Sequence, residues 1–189
     1  MLQSICRKIL FDWCGWTTDV TVPHRDKCII AVVPHTSNWD FIIGELYYNS
    51  LGRKALFLMK KSWFFFPLGI LLRKMGGFPV NRSRHTSMTD QMAEAAKAAS
   101  HFELAVTPEG TRSRRTKWKH GFYFMALKAE LPIQLYALDY KNKRIVCTQE
   151  LIPSGNLKED MEAICKYYEP YLNLAKYPEK FALDDIEEI

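Results

Sequence analysis

The chain has 189 residues, of which 48% are hydrophobic and 25% are charged, and its formal net charge is +5. This length suits one domain with a substantial core, spanning residues 1–189, and the composition excludes a disordered chain. The basic balance favours anionic partners such as lipid headgroups, phosphorylated substrates or nucleic acid, with a solvated basic face as the alternative.

Residues 1–16 come first along the chain. Their apolar side chains recur at roughly helical spacing, with Arg7 and Lys8 among them. The pattern is typical of an amphipathic helix on a membrane surface, and it equally fits a helix packed on the domain's own core.

Strands and helices are predicted in alternation along the rest of the chain. The strands are predicted at residues 28–33, 55–59, 104–107, 133–139 and 144–148, and the helices at residues 40–51, 62–75, 86–100, 121–129 and 157–174. This alternation predicts a single α/β domain with a mixed, mostly parallel sheet flanked by helices. Residues 140–143 read as a hairpin turn that adds an antiparallel edge.

Within the helix predicted at residues 62–75, the stretch 63–72 is apolar on every side and lies between the basic pairs 60–61 and 73–74. A helix of this kind is either buried or in contact with lipid. The flanking cations fit lipid contact, because they can reach headgroup phosphates. A plain core helix and the wall of an acyl-chain tunnel are the alternatives. The apolar run is about half as long as a bilayer-spanning helix, so we expect no transmembrane segment. No signal peptide is recognisable.

Five cysteines without a CxxC pair match no zinc pattern. We therefore expect free, mostly buried thiols in a reducing compartment, and no metal site.

His35 follows the first predicted strand, and Asp40 comes five residues later. Catalytic residues of open α/β sheets gather where strands end. A carboxylate on Nδ1 of His35 would fix the tautomer and leave Nε2 free to take a proton. The alternatives are a structural turn histidine and a carboxylate that stabilises the start of a helix.

His85 and Asp90 repeat this spacing, so the spacing alone is weak evidence. His85 follows a polar stretch rather than a strand, and Thr86 or Ser87 is a suitable N-cap residue. We interpret this second pair as the entry to a helix.

A second motif, Glu109-Gly110-Thr111-Arg112, follows the strand predicted at 104–107. Gly110 permits a turn that other residues resist, and Arg112 can hold a phosphate or carboxylate with two hydrogen bonds. Glu109 is expected to orient Arg112 or another basic group. The alternative is a polar turn with a surface ion pair.

No serine or cysteine nucleophile presents itself, because the chain lacks the Gly-x-Ser-x-Gly elbow of hydrolases. A direct reaction is simpler, with His35 taking the proton of a substrate hydroxyl that attacks an acyl thioester.

Taken in order, the segments resemble the lysophospholipid acyltransferase family, which comprises the 1-acylglycerol-3-phosphate acyltransferases and their glycerol-phosphate acyltransferase relatives. Four blocks carry the resemblance, namely His35 with Asp40, Gly77-Phe78 with Arg82, Pro108 through Ser113, and Leu131-Pro132-Ile133, the last preceded by Lys119 and Gly121. Pro34 stands where many members have Asn.

The resemblance implies roles for these residues and the family's glycerol-phosphate acyltransferase-like fold. His35 is then the base and Asp40 its orienting partner. Arg82 and the residues Glu109, Gly110, Thr111 and Arg112 shape the acceptor site, and Lys119 binds phosphate or stabilises the thioester oxyanion.

The resemblance also implies the substrates and the location. The donor is acyl-CoA or acyl-carrier protein, no cofactor is needed, and the acceptor is a lyso-lipid, in the first place 1-acylglycerol-3-phosphate. Another lyso-lipid, such as a lyso-aminolipid, and a non-catalytic module that binds anionic membranes are the alternatives. We expect a peripheral protein at the cytoplasmic face of a membrane. We expect no nucleic-acid partner, because the basic residues form no recognisable module of that kind.

Overall fold

The computed structural model of the chain describes residues 2–80 and 87–189. Its strands are β1 (Thr17–Val20), β2 (Lys27–Val32), β3 (Leu56–Lys60), β4 (Gly77–Val80), β5 (Phe102–Val106), β6 (Ile133–Asp139), β7 (Arg144–Cys147) and β8 (Glu150–Leu151). Its helices are α1 (Leu2–Arg7), α2 (Asn38–Ser50), α3 (Leu68–Lys74), α4 (Met88–Ala98), α5 (Gly121–Ala129) and α6 (Leu157–Tyr168).

The strands of the described ranges form one eight-stranded sheet in the order β1-β7-β6-β2-β5-β3-β4, with β8 paired to β6. Parallel pairs dominate, and β6 runs antiparallel to β7 and β8. The predicted hairpin at residues 140–143 is confirmed by the β6–β7 pair. However, β7 does not lie at the edge, because β1 pairs beyond it. The predicted α/β fold with a mixed, mostly parallel sheet and flanking helices is confirmed.

Helices cover both faces of the sheet because successive side chains of a strand point to opposite faces. From β2, Ile29 and Ala31 join a core cluster with side chains of α4, α5 and α6. Ile30 points the other way and packs in a second cluster with Ile43 and Tyr47 of α2. The central strands are therefore buried on both sides, which explains their continuous apolar runs.

Three strands, β1, β4 and the two-residue β8, were not predicted from the sequence. β1 is polar and partly exposed. β4 contains Gly77 and Pro79, residues that are rare inside sheets. It pairs with β3 and ends the strand order, and an end strand can hold a proline.

The predicted helix at residues 62–75 is wrong in its first half. Residues Lys61–Trp63 form a 3₁₀ turn, and the helix α3 begins only at Leu68. Pro67 explains the break, because it has no N–H and disfavours helical conformation in the residue before it. The helix predicted at 157–174 likewise ends at Tyr168, where a 3₁₀ turn containing Pro170 follows.

Residues 61–74, here called the apolar segment, expose much of their hydrophobic surface. Phe66 is 84% exposed. Trp63, Phe65, Ile70 and Leu71 are also exposed, and Lys61, Arg73 and Lys74 lie among them. The segment is therefore not a plain core helix, and its surface combines aromatic, aliphatic and basic side chains.

The N-terminal residues divide between core and surface. Cys6 and Leu10 are buried, and Leu10 packs in the cluster that contains α2, while Leu2, Ile5 and Trp13 are exposed. The helical stretch continues from α1 through a π-helical turn at Lys8–Trp13. Both interpretations of residues 1–16 thus find side chains that fit them.

The cysteines are all free, as predicted, and only Cys14 is exposed. Between residues 2 and 80 and between 87 and 189, no helix has the length and apolarity to cross a membrane.

Candidate active site

His35 lies in the short loop between the carboxyl end of β2 and the start of α2. Ser37 caps the helix, since its hydroxyl accepts from Trp39 N at 3.2 Å. Asp40 completes a capping box, because its Oδ2 accepts from Ser37 N at 2.8 Å. The local sequence therefore turns the first helical carboxylate back toward the loop that holds His35.

The predicted pair meets. His35 Nδ1 lies 3.1 Å from Asp40 Oδ2, and the carboxylate is 2% exposed. Oδ2 also accepts from Thr36 N at 2.8 Å. The His35–Asp40 contact lacks the alignment of a full hydrogen bond. Catalytic hydrogen bonds are often loose without substrate and tighten when it binds. With Nδ1 toward Asp40, Nε2 is the nitrogen left to meet a substrate.

Glu109 supports the same loop from the neighbouring strand. The backbone N–H of His35 donates to both oxygens of Glu109, at 3.0 and 3.1 Å. Glu109 is 4% exposed, and burial, with a smaller effect of the Asp40 charge, raises the pKa of its carboxyl group to about 8. The structure thus shows Glu109 on the backbone N–H of His35, whereas the sequence suggested that it orients Arg112 or another basic group.

Gly110 and Lys119 are in close contact. Gly110 has a φ of +64°, in the left-handed region that favours glycine. A Cβ at this position would lie 2.9 Å from side-chain carbons of Lys119. The backbone of Lys119 donates to Pro108 O at 2.8 Å. The second motif and the lysine that the resemblance assigned to the site therefore come together.

The residues on either side of Lys119 are fixed by the C-terminal part of the chain. Trp118 N donates to Asp184 Oδ1 at 2.7 Å, and His120 Nε2 lies 2.5 Å from Asp184 Oδ2. Asp184 is buried. These contacts set the direction in which Lys119 leaves the backbone.

Arg112 is exposed, and its guanidinium donates to the side-chain oxygen of Asn38 at the start of α2. Thr111 makes a local bond, accepting from Ser113 N at 3.3 Å. Arg112 therefore reaches across to the His35 loop, whereas Thr111 shapes the turn that presents it.

The second of the four blocks is only partly described. Gly77 and Phe78 belong to β4, but Arg82, and also His85 of the repeated pair, lie outside the described residues. Asp90 caps α4 together with Ser87, because its backbone N–H donates to the Ser87 hydroxyl and its carboxylate accepts from that hydroxyl. Asp90 also pairs with Lys128. It thus has the helix-entry role expected for it.

A cavity of about 660 Å³ extends from His35 into the domain. Its volume is within the roughly 300–1,000 Å³ that is common for small-molecule sites. His35, Asn38, Gly110 and Lys119 lie on its wall, and the remaining lining is mostly apolar and aromatic.

The cavity reaches both faces of the sheet. Ile30 and Tyr136 line it from the α2 side, and Phe122 and Met125 from the α5 side. Strands β3 and β5 pair only at two positions, the second joining Phe57 and Ala105, so they separate toward their carboxyl ends. This gap lies beside the cavity, because residues of both strands line it.

Sequence reasoning missed two polar partners of the site. Asn38 binds Arg112, and Tyr140 Oη donates to Asp40 Oδ1 at 2.5 Å. Asn38 lies inside the first motif and was available to motif analysis. Tyr140 follows β6, and only the sheet order shows that β6 lies beside β2. Within the described ranges, no group of three His, Cys, Asp or Glu side chains is placed to hold a metal ion.

Comparisons with known proteins indicate the family and the fold of the chain. A sequence model described as "Acyltransferase" matches residues 17–138. The fold is similar to the crystal structure of the 1-acyl-sn-glycerophosphate (LPA) acyltransferase PlsC from Thermotoga maritima, with a TM-score of 0.62 and 16% sequence identity. That alignment covers 91% of this chain and 78% of the other. No curated protein matches the sequence significantly.

Proposed function

Because the chain belongs to the acyltransferase family, whose model matches residues 17–138, we propose that it transfers a fatty acyl group from an acyl thioester to the free hydroxyl of a lyso-lipid. The observation that carries the proposal is the His35–Asp40 pair on the wall of a large, mostly apolar cavity. The proposed acceptor is 1-acylglycerol-3-phosphate, which would give phosphatidate.

His35 acts as the general base. Its Nε2 takes the proton of the acceptor hydroxyl while the hydroxyl oxygen attacks the thioester carbonyl carbon. The tetrahedral intermediate then expels the thiolate, which receives the proton from the imidazolium. Asp40, held by Thr36 N and Ser37 N, keeps Nδ1 protonated and stabilises the imidazolium charge. These reaction steps need neither a covalent acyl-enzyme nor a cofactor.

The cavity takes the acyl chain of the donor, which is acyl-CoA or acyl-carrier protein. Its lining includes Phe41, Phe57 and Met125 and offers an apolar path that starts beside the base. Burying methylene groups of a chain there contributes up to about 0.8 kcal/mol each. Arg112 and Lys119 provide positive charge near His35 for the acceptor phosphate or the developing oxyanion.

The apolar segment (residues 61–74) brings the protein to its lipid acceptor. Exposed aromatic and aliphatic side chains can enter the interface, and Lys61, Arg73 and Lys74 can meet anionic headgroups. We propose peripheral attachment at the cytoplasmic face of a membrane. The exposed side chains Leu2, Ile5 and Trp13 offer a second contact.

Acyl transfer by the purified protein tests the proposal. Labelled acyl-CoA and acyl-carrier protein are each offered with a panel of lyso-lipids that includes 1-acylglycerol-3-phosphate and a lyso-aminolipid. We expect a diacyl product, and His35→Ala should lower turnover by about 10²–10⁴-fold, the usual contribution of a general base.

His85→Ala is the matched control, because His85 has the same spacing to an aspartate but follows the polar stretch of residues 81–84 in the sequence. It should retain nearly full activity. Preference for the lyso-aminolipid would reassign the acceptor. Absence of transfer by a folded protein that still binds anionic vesicles would instead support a non-catalytic membrane module.

A further inference from the structure

The buried carboxylate of Asp40 divides its contacts between its two oxygens. Oδ2 accepts from Thr36 N and Ser37 N, each at 2.8 Å, and faces His35 Nδ1 at 3.1 Å. Oδ1 accepts from Tyr140 Oη at 2.5 Å. The backbone donors come from the motif itself, whereas the phenol comes from a residue 100 positions further along the chain.

Tyr140 is held in place by its own surroundings. It follows directly after β6, and its backbone N–H donates to Leu174 O at 2.8 Å. Its ring meets the buried Trp16 edge-on, with centroids 5.2 Å apart. Burial, together with the hydrogen bond to Asp40 and the charge of that carboxylate, raises the pKa of Tyr140 well above its ordinary value. The phenol therefore keeps its proton and acts as a donor throughout the physiological range.

We propose that Tyr140 is a positioning residue for acyl transfer, which orients Asp40 through Oδ1 and moderates how strongly this carboxylate attracts the proton of His35. The inference rests on the proposed function for its catalytic consequence, but the contact between Tyr140 and Asp40 can be tested without it. Tyr140 lies beyond residues 17–138, which the family model matches.

Other groups around the pair have different partners. Glu109, after β5, accepts from the backbone of His35. Lys176 places its ammonium 4.7 Å from the Trp39 ring centroid and 6.0 Å from that of Tyr140. Tyr177 donates its backbone N–H to the Thr36 hydroxyl at 3.3 Å. Among the residues that the structure describes, 2–80 and 87–189, the side chain that donates a hydrogen bond to Asp40 Oδ1 is that of Tyr140.

Removing the phenol hydroxyl of Tyr140 should make the Asp40 carboxylate more basic. A hydrogen bond to a carboxylate stabilises its charged form and reduces its basicity. In Tyr140→Phe, the Asp40 carboxylate loses this hydrogen bond and interacts more strongly with the imidazolium of His35. The pH at which His35 is half protonated therefore moves upward, so less of the enzyme has a free base at neutral pH.

Two measurements test the proposal. The first is an NMR titration of the His35 imidazole, which is independent of activity, and the second is the pH profile of kcat and KM for acyl transfer. In Tyr140→Phe we expect the titration midpoint to rise by about 0.5–1 pH unit. The kcat should fall by about 3–10-fold at pH 7 and recover partly at higher pH, with KM little changed.

Tyr167→Phe is the matched control, because its hydroxyl accepts from Thr148 N at 3.2 Å and takes no part in the proposed site. In this variant, the titration midpoint of His35 and the rate of acyl transfer should equal those of the unmodified protein. Asp40→Asn provides a second background, in which the further change Tyr140→Phe should not move the His35 midpoint if Tyr140 acts through Asp40.

An unchanged His35 midpoint in a folded Tyr140→Phe protein would overturn the proposal, as would an equal shift in the Asp40→Asn background. If the unmodified protein transfers no acyl group, the proposed function fails, and the NMR titration still decides whether Tyr140 acts on the pair.

Discussion

Replacing Glu109 by glutamine tests the electrostatics of the site through stability. Glu109 is buried beside His35, and burial raises the pKa of its carboxyl group from 4.5 to about 8. The folded chain therefore keeps a proton that the unfolded chain releases above pH 4.5. The stability that the raised pKa of Glu109 contributes is fully present below pH 4.5, and it is lost as the pH rises to the folded-state pKa of about 8.

The linkage relation sets the size of the effect. With these two pKa values, the free energy of unfolding should fall by about 2.5 kcal/mol between pH 5 and pH 7 because of this one group. A glutamine amide cannot titrate and resembles the protonated carboxyl group in shape. The Glu109→Gln variant should match the unmodified protein near pH 5 and exceed its stability progressively toward pH 8.

Urea unfolding at four pH values from 5 to 8 measures the difference. Glu94→Gln serves as the control, because Glu94 is exposed on α4 and should leave the pH dependence unchanged. If the midpoints of Glu109→Gln and the unmodified protein decline in parallel, the carboxyl group is ionised in the folded state at neutral pH. The interpretation of Glu109 as a neutral, buried support of the His35 backbone would then be wrong.

Two further substitutions test the geometry. Gly110→Ala should destabilise the fold by about 1–2 kcal/mol and lower acyl transfer because the new Cβ displaces Lys119. Gly155→Ala has a positive φ but open space around it, so it should lower stability, measured by urea unfolding, without affecting turnover; equal activity losses would argue against crowding. Phe66→Ser should weaken sedimentation with anionic vesicles by up to about tenfold at unchanged Tm. Ile152→Ser, at a position 73% exposed outside the apolar segment, should leave binding intact, and equal binding by both variants would contradict the membrane role.

Elements that are specified by neighbouring residues were predicted correctly, whereas elements that depend on distant parts of the chain were not. Ile133–Asp139 and Gly121–Ala129 are found with the predicted bounds, because apolar runs and helix spacing are local signals. β4 was missed because Gly77 and Pro79 hide an edge strand. The helix predicted from residue 62 begins only at Leu68, because Pro67 interrupts it although the apolar pattern continues.

The same division applies to the site. The contact of His35 with Asp40 follows from a capping box within one turn of helix, so the sequence predicted it. The partner of Glu109 was missed. The expected contact with Arg112 was a local one, whereas the carboxylate binds a backbone N–H on the neighbouring strand's loop, 74 residues away.

By itself, the sequence determined most strands and helices of the α/β fold and the motifs that place the chain among acyltransferases, since these depend on patterns of adjacent residues. The tertiary structure decided which loops meet. Because β2 lies between β5 and β6, the loops after these three parallel strands converge at one edge of the sheet. That order brings Glu109 and Tyr140 to the His35–Asp40 pair. It is set by packing and register across the whole sheet, which patterns of adjacent residues do not specify.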